Sequence, residues 1–328
     1  MSQGTAETVV PVPPVMLRHR RHRVDGDRIF QCLAISAGIL VLAIAAIFLL
    51  ALFVPALPAI REFGLGFLAS RDWNPVSLRF GALPFLYGTV ITSLVAMVIA
   101  FPIGIGAALF LADDARLPFI RVPLSFAIEL LAGIPSVVVG LWGLFILVPL
   151  MRTSVEPFLS HTFGFLPFFQ GPYSGSSYLT AGVVLAIMVL PILVALSRDV
   201  IRAVPRSLRE ASLALGATKA ELTWSVILPY ARIGVTGAVL LALGRALGET
   251  IAVTMVIGNR PGISGSLFAQ GYTLPSVLAN EFTEATGKIY QGALFELGLV
   301  LVSITIAVNV LARLLVWRFK GASEASVV

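Results

Sequence analysis

Six long apolar runs leave this chain few ways to fold. They lie near 29 to 54, 85 to 112, 123 to 150, 178 to 197, 233 to 258 and 292 to 317. Each reaches the roughly 20 helical residues needed to cross a hydrocarbon core of about 30 Å. A water-soluble globule of 328 residues could not bury them, because 58% of the chain is apolar, only 12% is charged and the mean hydropathy is +0.95. The sequence therefore predicts an all-α integral membrane protein with six transmembrane helices. Ala43-Ile44-Ala45, behind the basic run from Arg18 to Arg28, imitates a signal-peptide cleavage site, but the apolar run continues to Val54 and predicts an uncleaved first helix.

The net charge of +6 does not point to nucleic acid, because the basic residues collect in alternate inter-span segments. The N-terminal tail holds five Lys and Arg, the second loop two, the fourth loop six and the C-terminal end three. The first, third and fifth loops hold three, one and two, Arg313 near the end of the sixth run is counted with the C-terminal end, and Arg245 alone lies mid-span. Sixteen against six predicts that both termini are cytoplasmic and that segments 55 to 84, 151 to 177 and 259 to 291 face outward. The aromatic residues of those segments, Trp73, Phe158, Phe163, Phe165, Phe168, Phe169, Tyr173, Tyr178, Tyr272 and Tyr290, read as belts at the membrane interface.

A cytoplasmic basic tail, 1 to 28, and a short C-terminal tail, 318 to 328, are expected to flank a single transmembrane domain, 29 to 317. Pro11, Pro13 and Pro14 and the Arg/His run after them read as a flexible segment against anionic headgroups. Cys32 is the only cysteine, which excludes an intrachain disulfide, a cysteine-based zinc site and an iron–sulfur cluster. The three histidines form no metal constellation.

The most informative interruption is the 35-residue polar stretch from Arg198 to Arg232. Ser207-Leu208-Arg209-Glu210 has capping-box spacing and predicts a helix start, which Gly216 should end by taking a left-handed conformation. Thr218 and Glu221 repeat the box, and Pro229 is expected to close a second short helix. The first helix would have only about eight residues, too short to be stable without a surface to pack on.

This loop resembles that of the permease subunits of ABC importers, whose Glu-Ala-Ala motif with a Gly four positions later matches Glu210-Ala211-Ser212 and Gly216. The third position is Ser here instead of Ala. The resemblance implies an ABC importer type I permease fold, a bacterial inner-membrane location, and a coupling helix seated in a groove of a cytoplasmic ATPase through Glu210, Ala211, Gly216 and Ala217. Nowhere does the chain contain G-x-x-x-x-G-K-[ST], so ATP and Mg are expected on a partner ATPase, with no cofactor and no metal in this chain and no catalytic residue of its own.

Charge inside the apolar runs costs roughly 2.5 to 3.5 kcal/mol per residue on insertion scales. Arg245 and Glu249 are four residues apart, hence on one face of a continuous fifth helix, and Glu129 falls early in the third run. Two readings stay open. Arg245 can pair internally with Glu249 or Glu129, or its planar fork can serve an oxyanion beside a translocation path. Gly244-x-x-x-Gly248 offers a surface for close helix approach. Glu296, near the outer end of the sixth run, reads as interfacial.

The string from Gly244 through Arg245, Gly248, Glu249 and Thr250 to Asn259, together with Ala132-Gly133-Ile134-Pro135-Ser136 through Gly143, resembles PstC-type permease subunits of bacterial phosphate ABC importers. Val139 departs from the Tyr expected there. The resemblance covers most of 29 to 317 and implies a homologous second permease (PstA-type), an ATPase dimer (PstB-type) and an extracytoplasmic phosphate-binding protein (PstS-type). It implies phosphate as substrate and Arg245, Glu249 and Glu129 along the path. Another oxyanion, molybdate or sulfate, is the alternative substrate class. An ATP-independent carrier, with broken helices at Pro102 or Pro191, is the alternative mechanism class.

Overall fold

The computed structural model of the protein describes residues 23–113 and 118–324. The prolines and most of the basic run of the N-terminal tail, and residues 325–328, lie outside the described residues. The helices are α1 (Arg23–Phe63), α2 (Gly66–Ala69), α3 (Leu83–Ala112), α4 (Pro118–Gly133), α5 (Ser136–Phe163), α6 (Tyr178–Arg202), α7 (Arg206–Ala214), α8 (Lys219–Gly248), α9 (Ile251–Val256), α10 (Leu274–Glu281) and α11 (Lys288–Glu324). Among the described residues six helices, α1, α3, α5, α6, α8 and α11, are long and apolar enough to cross a membrane, and no strand forms beyond an isolated bridge between Asn74 and Arg79.

The chain divides into two units, residues 1–51 and 52–328. In the first, α1 exposes Phe30, Ile39 and Phe48 around its circumference, the all-round apolar surface of a lipid-facing helix. The second unit is built on α3 against α6. Their approach requires small residues: a Cβ on Gly182 would come 2.3 Å from Val95, and one on Gly104 would come 2.7 Å from Leu193. Ala96, Ala100, Ala181 and Val189 are buried along this seam.

Several expectations need correction. The third apolar run is two helices, because Pro135 is extended and restarts the chain as a separate helix at Ser136. The span is therefore α5, 136–163, and not 123 to 150. The fifth run is also broken, between Gly248 and Ile251, where Glu249 is extended (φ −70°, ψ 126°). Pro102 and Pro191, by contrast, do not interrupt α3 or α6.

Pro229 does not close a short helix. α8 runs from Lys219 through a π-helical turn at Thr223–Ile227 and onward. Two further π turns, Gly143–Leu147 and Met151–Val155, precede Pro149 and Pro157 by the same offset. A proline cannot donate to the carbonyl four residues back, and in all three cases that carbonyl falls inside the wide turn, which lets the helix continue.

At one end of the bundle the segments that the charge pattern groups together do meet. The Trp73 Nε1–H donates to Glu281 at 2.8 Å, as does the Tyr290 hydroxyl at 2.7 Å. Trp73 packs edge-on against Phe80 and Phe85, and Phe80 stacks on Tyr290. Burial pushes the Tyr272 hydroxyl up to about 12, and it accepts from Asn280. Trp73, Tyr178, Tyr272 and Tyr290 are thus packing residues and not belt aromatics, whereas Phe158, Phe165 and Phe168 are exposed. Glu156, fully buried, holds the loop before α6 by accepting from the Gly175 N–H and the Ser177 hydroxyl, both at 3.1 Å.

The Glu281 carboxylate joins two segments 208 residues apart. Glu281→Ala strands two donors and is expected to cost about 1–3 kcal/mol, with Glu281→Gln losing less. Thermal unfolding of the detergent-solubilised protein checks this.

Candidate functional site

The break between α8 and α9 organises the membrane-buried charges. α8 ends at Gly248; Glu249 turns the chain, and its Oε1 accepts from the Ala252 N–H at 3.4 Å, meeting one of the donors at the start of α9. The Thr250 hydroxyl donates back to Gly248 at 3.2 Å, and that of Thr254 to Thr250 at 2.8 Å. Glu249 is therefore not one turn above Arg245 on a continuous helix. Arg245 lies in the last turn of α8, where its charge complements the helix dipole. It is exposed, and among the described residues neither Glu249 nor Glu129 pairs with it. The internal ion pair is absent. Glu129 lies exposed on α4, the helix ahead of the third span and not within that span.

The α9 helix takes its position from α5. A Cβ on Gly140 would come 2.6 Å from Met255 Sδ and 3.0 Å from Ala252 Cα, and one on Gly143 would come 2.9 Å from Val256. The two sequence strings that carried the resemblance thus pack on each other. Val139, where a hydroxyl was missed, is 8% exposed and belongs to the same core. Along α8 the opposite holds: a Cβ on Gly237, Gly244 or Gly248 would meet nothing within 4 Å. Arg245 shares this uncovered side with Leu241, which is 62% exposed.

At the other end of the bundle Arg202 Nη2 donates to the Leu111 carbonyl at 3.0 Å, tying α6 to the end of α3. α7 follows. Its N-cap is Pro205 and it begins at Arg206, so Ser207 sits inside the first turn and the Ser207–Glu210 capping box does not form. Arg209 instead reaches back to the Ile201 carbonyl at 2.5 Å. Gly216 does take a left-handed conformation, φ +88°, and the Thr218–Glu221 box is complete, with Glu221 accepting from the Thr218 N–H at 2.8 Å. Glu210, Ala211 and Gly216 are exposed and Ala217 is half-buried. Leu208, Leu213, Leu215 and Trp224 are also exposed, the last two at 90% and 73%.

Glu296 was misread as interfacial. It is buried on the face of α11 where Gly292, one turn earlier, approaches Ala59 to within 3.3 Å of an added Cβ, and its Oε2 has no partner. The Gly at that spacing was the available signal.

Six helices long and apolar enough to cross a membrane, one of them broken beside an exposed cation, make this a multi-pass membrane protein. The chain belongs to the family of binding-protein-dependent transport system inner membrane components, which matches residues 100–321. It is 46% identical over 303 residues, 91% of this chain and 92% of the relative, to the phosphate transport system permease protein PstC of Mesorhizobium japonicum. It is 49% identical over 264 residues (79% and 81%) to the PstC of Xylella fastidiosa, and 42% over 298 residues (90% and 94%) to that of Haemophilus influenzae. Among solved structures, a bacterial alginate ABC transporter matches with TM-score 0.56 at 14% identity, covering 88% of this chain and 96% of that chain. The MetNI methionine ABC transporter, inward facing, matches at 0.52 and 18% (73% and 94%). Both share the fold.

The α5–α9 contact gives a direct test. Gly140→Val should force the two helices apart and cost about 1–3 kcal/mol. Gly133→Ala, where an added Cβ meets nothing within 4 Å, should leave the unfolding midpoint of the solubilised protein unchanged.

Proposed function

We propose that the chain is one of two permease subunits of an ATP-driven phosphate importer and forms half of its translocation path. The observation that carries this reading is Arg245, exposed and unpaired at a helix break within an apolar run. A charge in that position is tolerable only against a water-filled path or a polar partner surface. A guanidinium fork matches the geometry of a phosphate oxyanion. The close relatives named as phosphate transport permeases support the choice of substrate.

One cation cannot neutralise a dianion, so the second permease contributes a matching cation across a pseudo-twofold axis. Glu249, at the pivot between α8 and α9, holds the start of α9 beside Arg245, and Glu129 borders the same path. An extracytoplasmic binding protein delivers phosphate to segments 55 to 84 and 259 to 291, and both termini are cytoplasmic.

The α7 element, with Glu210, Ala211, Gly216 and Ala217, seats in a groove of a partner ATPase that binds ATP and Mg. Its exposed Leu208, Leu213 and Leu215 suit that contact. Closure of the ATPase dimer on ATP moves α7, and the stiff Thr218 box passes the motion into α8, to whose far end Arg245 belongs.

Phosphate uptake by membrane vesicles tests the path. Arg245→Ala and Glu249→Ala transporters that still assemble should lose at least about tenfold in rate, with Arg245→Lys intermediate. Wild-type rates in both alanine variants would remove the path assignment. Gly216→Val, strained at φ +88°, should leave ATP hydrolysis by the complex poorly coupled to uptake.

A further inference from the structure

The positive-inside asymmetry leaves only six basic residues in the outward segments: Arg61, Arg71, Arg79, Arg152, Arg260 and Lys288. Three of these, from loops about 190 residues apart in sequence, are gathered around Pro261. A cavity of about 340 Å³ is bordered by Arg71, Arg79, Asn74, Ser77 and Pro261. A second, of about 380 Å³, is bordered by Arg260, Ser174, Ser264, Gln270 and Pro261. The guanidinium groups of Arg71, Arg79 and Arg260 are exposed and make no ion pair or hydrogen bond among the described residues. One carboxylate, Asp72, also borders the first cavity, which therefore has two positive charges to one negative, and the second cavity has Arg260 and no carboxylate.

The rim is rigid. Asn74 and Arg79 exchange backbone hydrogen bonds at 2.8 and 3.1 Å, and the Asn74 side chain accepts from the N–H groups of Val76 and Ser77. The Tyr178 hydroxyl donates to the Gly262 carbonyl at 3.0 Å and that of Tyr87 to the Ser264 carbonyl at 2.6 Å. The Arg260 N–H donates to Gly271 at 3.0 Å, and Gly271 is required there because a Cβ would come 2.0 Å from the Tyr178 ring. Charges held without partners in concave, polar surroundings focus potential and raise the local concentration of counter-ions.

The geometry points to an antechamber for a small inorganic oxyanion, formed by Arg71, Arg79 and Arg260 around Pro261 and separate from Arg245. It deepens the phosphate reading and rests on it: the site holds phosphate weakly at the mouth of the path after release by the binding protein, which keeps the ion from escaping. Small polar cavities with Ser, Asn and Gln donors fit an oxyanion better than they fit a flat acidic protein surface.

The test uses the assembled transporter in lipid nanodiscs without binding protein, with ³¹P line broadening of inorganic phosphate as the readout. The combined Arg71→Gln, Arg79→Gln, Arg260→Gln variant should lose at least about fivefold of the broadening. Lys288→Gln, which removes a basic charge that borders neither cavity, should retain most of it, and the wild-type signal should fall as NaCl is raised. Arg260→Lys, keeping the charge but not the fork, should lose less than the combined variant. The affinity of phosphate-loaded binding protein for the combined variant should stay within about twofold of wild type. Equal broadening in wild type and the combined variant overturns the antechamber while vesicle uptake still supports the phosphate reading; absence of any phosphate uptake by wild type overturns that reading instead. Loss of binding-protein affinity with unchanged broadening makes the arginines docking contacts and overturns the proposal.

Discussion

The close approach of α5 to α9 is the contact on which the rest of the functional architecture depends. Gly140 and Gly143 let the two backbones come together against Ala252, Met255 and Val256. For α9 to lie there, the fifth apolar run must end one helix at Gly248 and begin another at Ile251. The break frees backbone groups of the helix, and Glu249 meets part of that need by accepting from Ala252. It also leaves Arg245 in a helix-terminal turn on a side of α8 with three glycines at which an added Cβ would meet nothing within 4 Å. A single packing requirement therefore sets the position of the cation, of the carboxylate and of the open face between them.

The two ends of the second unit are built differently, in keeping with different tasks. The end carrying Trp73, Tyr178 and Glu281 is cross-braced by aromatic packing and side-chain hydrogen bonds between distant loops. The end carrying α7 has few buried side chains, a left-handed glycine and exposed leucines. Low local contact density is what a moving element requires. Three π turns ahead of prolines keep the long helices continuous, and α8 has no break at Pro229.

Much of the fold was legible in the sequence because hydropathy and backbone chemistry are local. The number of spans, the Gly216 turn and the Thr218–Glu221 box follow from residues within a few positions of one another, but the bounds of the third and fifth spans do not. What escaped depended on partners distant in sequence. Apolar composition continues across Pro135 and Glu249, so a hydropathy window cannot see those breaks; α9 packing on α5 explains the second. Ser207 matched a capping pattern, but with Pro205 as N-cap the helix starts two residues earlier, which puts the hydroxyl out of register. Tyr178 and Tyr290 looked interfacial, but segments distant in sequence cover them. Arg245 and Glu249 were visible as charges in an apolar run, but their relation across a break was not, because the i to i+4 rule assumes a continuous helix.

The central claim is that the glycine-lined side of α8 around Arg245 faces a watery path in the assembled transporter. Cysteine accessibility measures this directly in a background where Cys32, the only native cysteine, is replaced by Ser. Small charged thiosulfonates should label Leu241→Cys and Gly248→Cys, and phosphate should slow that labelling, while Ala242→Cys and Ala246→Cys, on the buried side, stay unreactive. If positions 241 and 248 react only with membrane-partitioning maleimides, that side of α8 faces lipid, and Arg245 does not border a path.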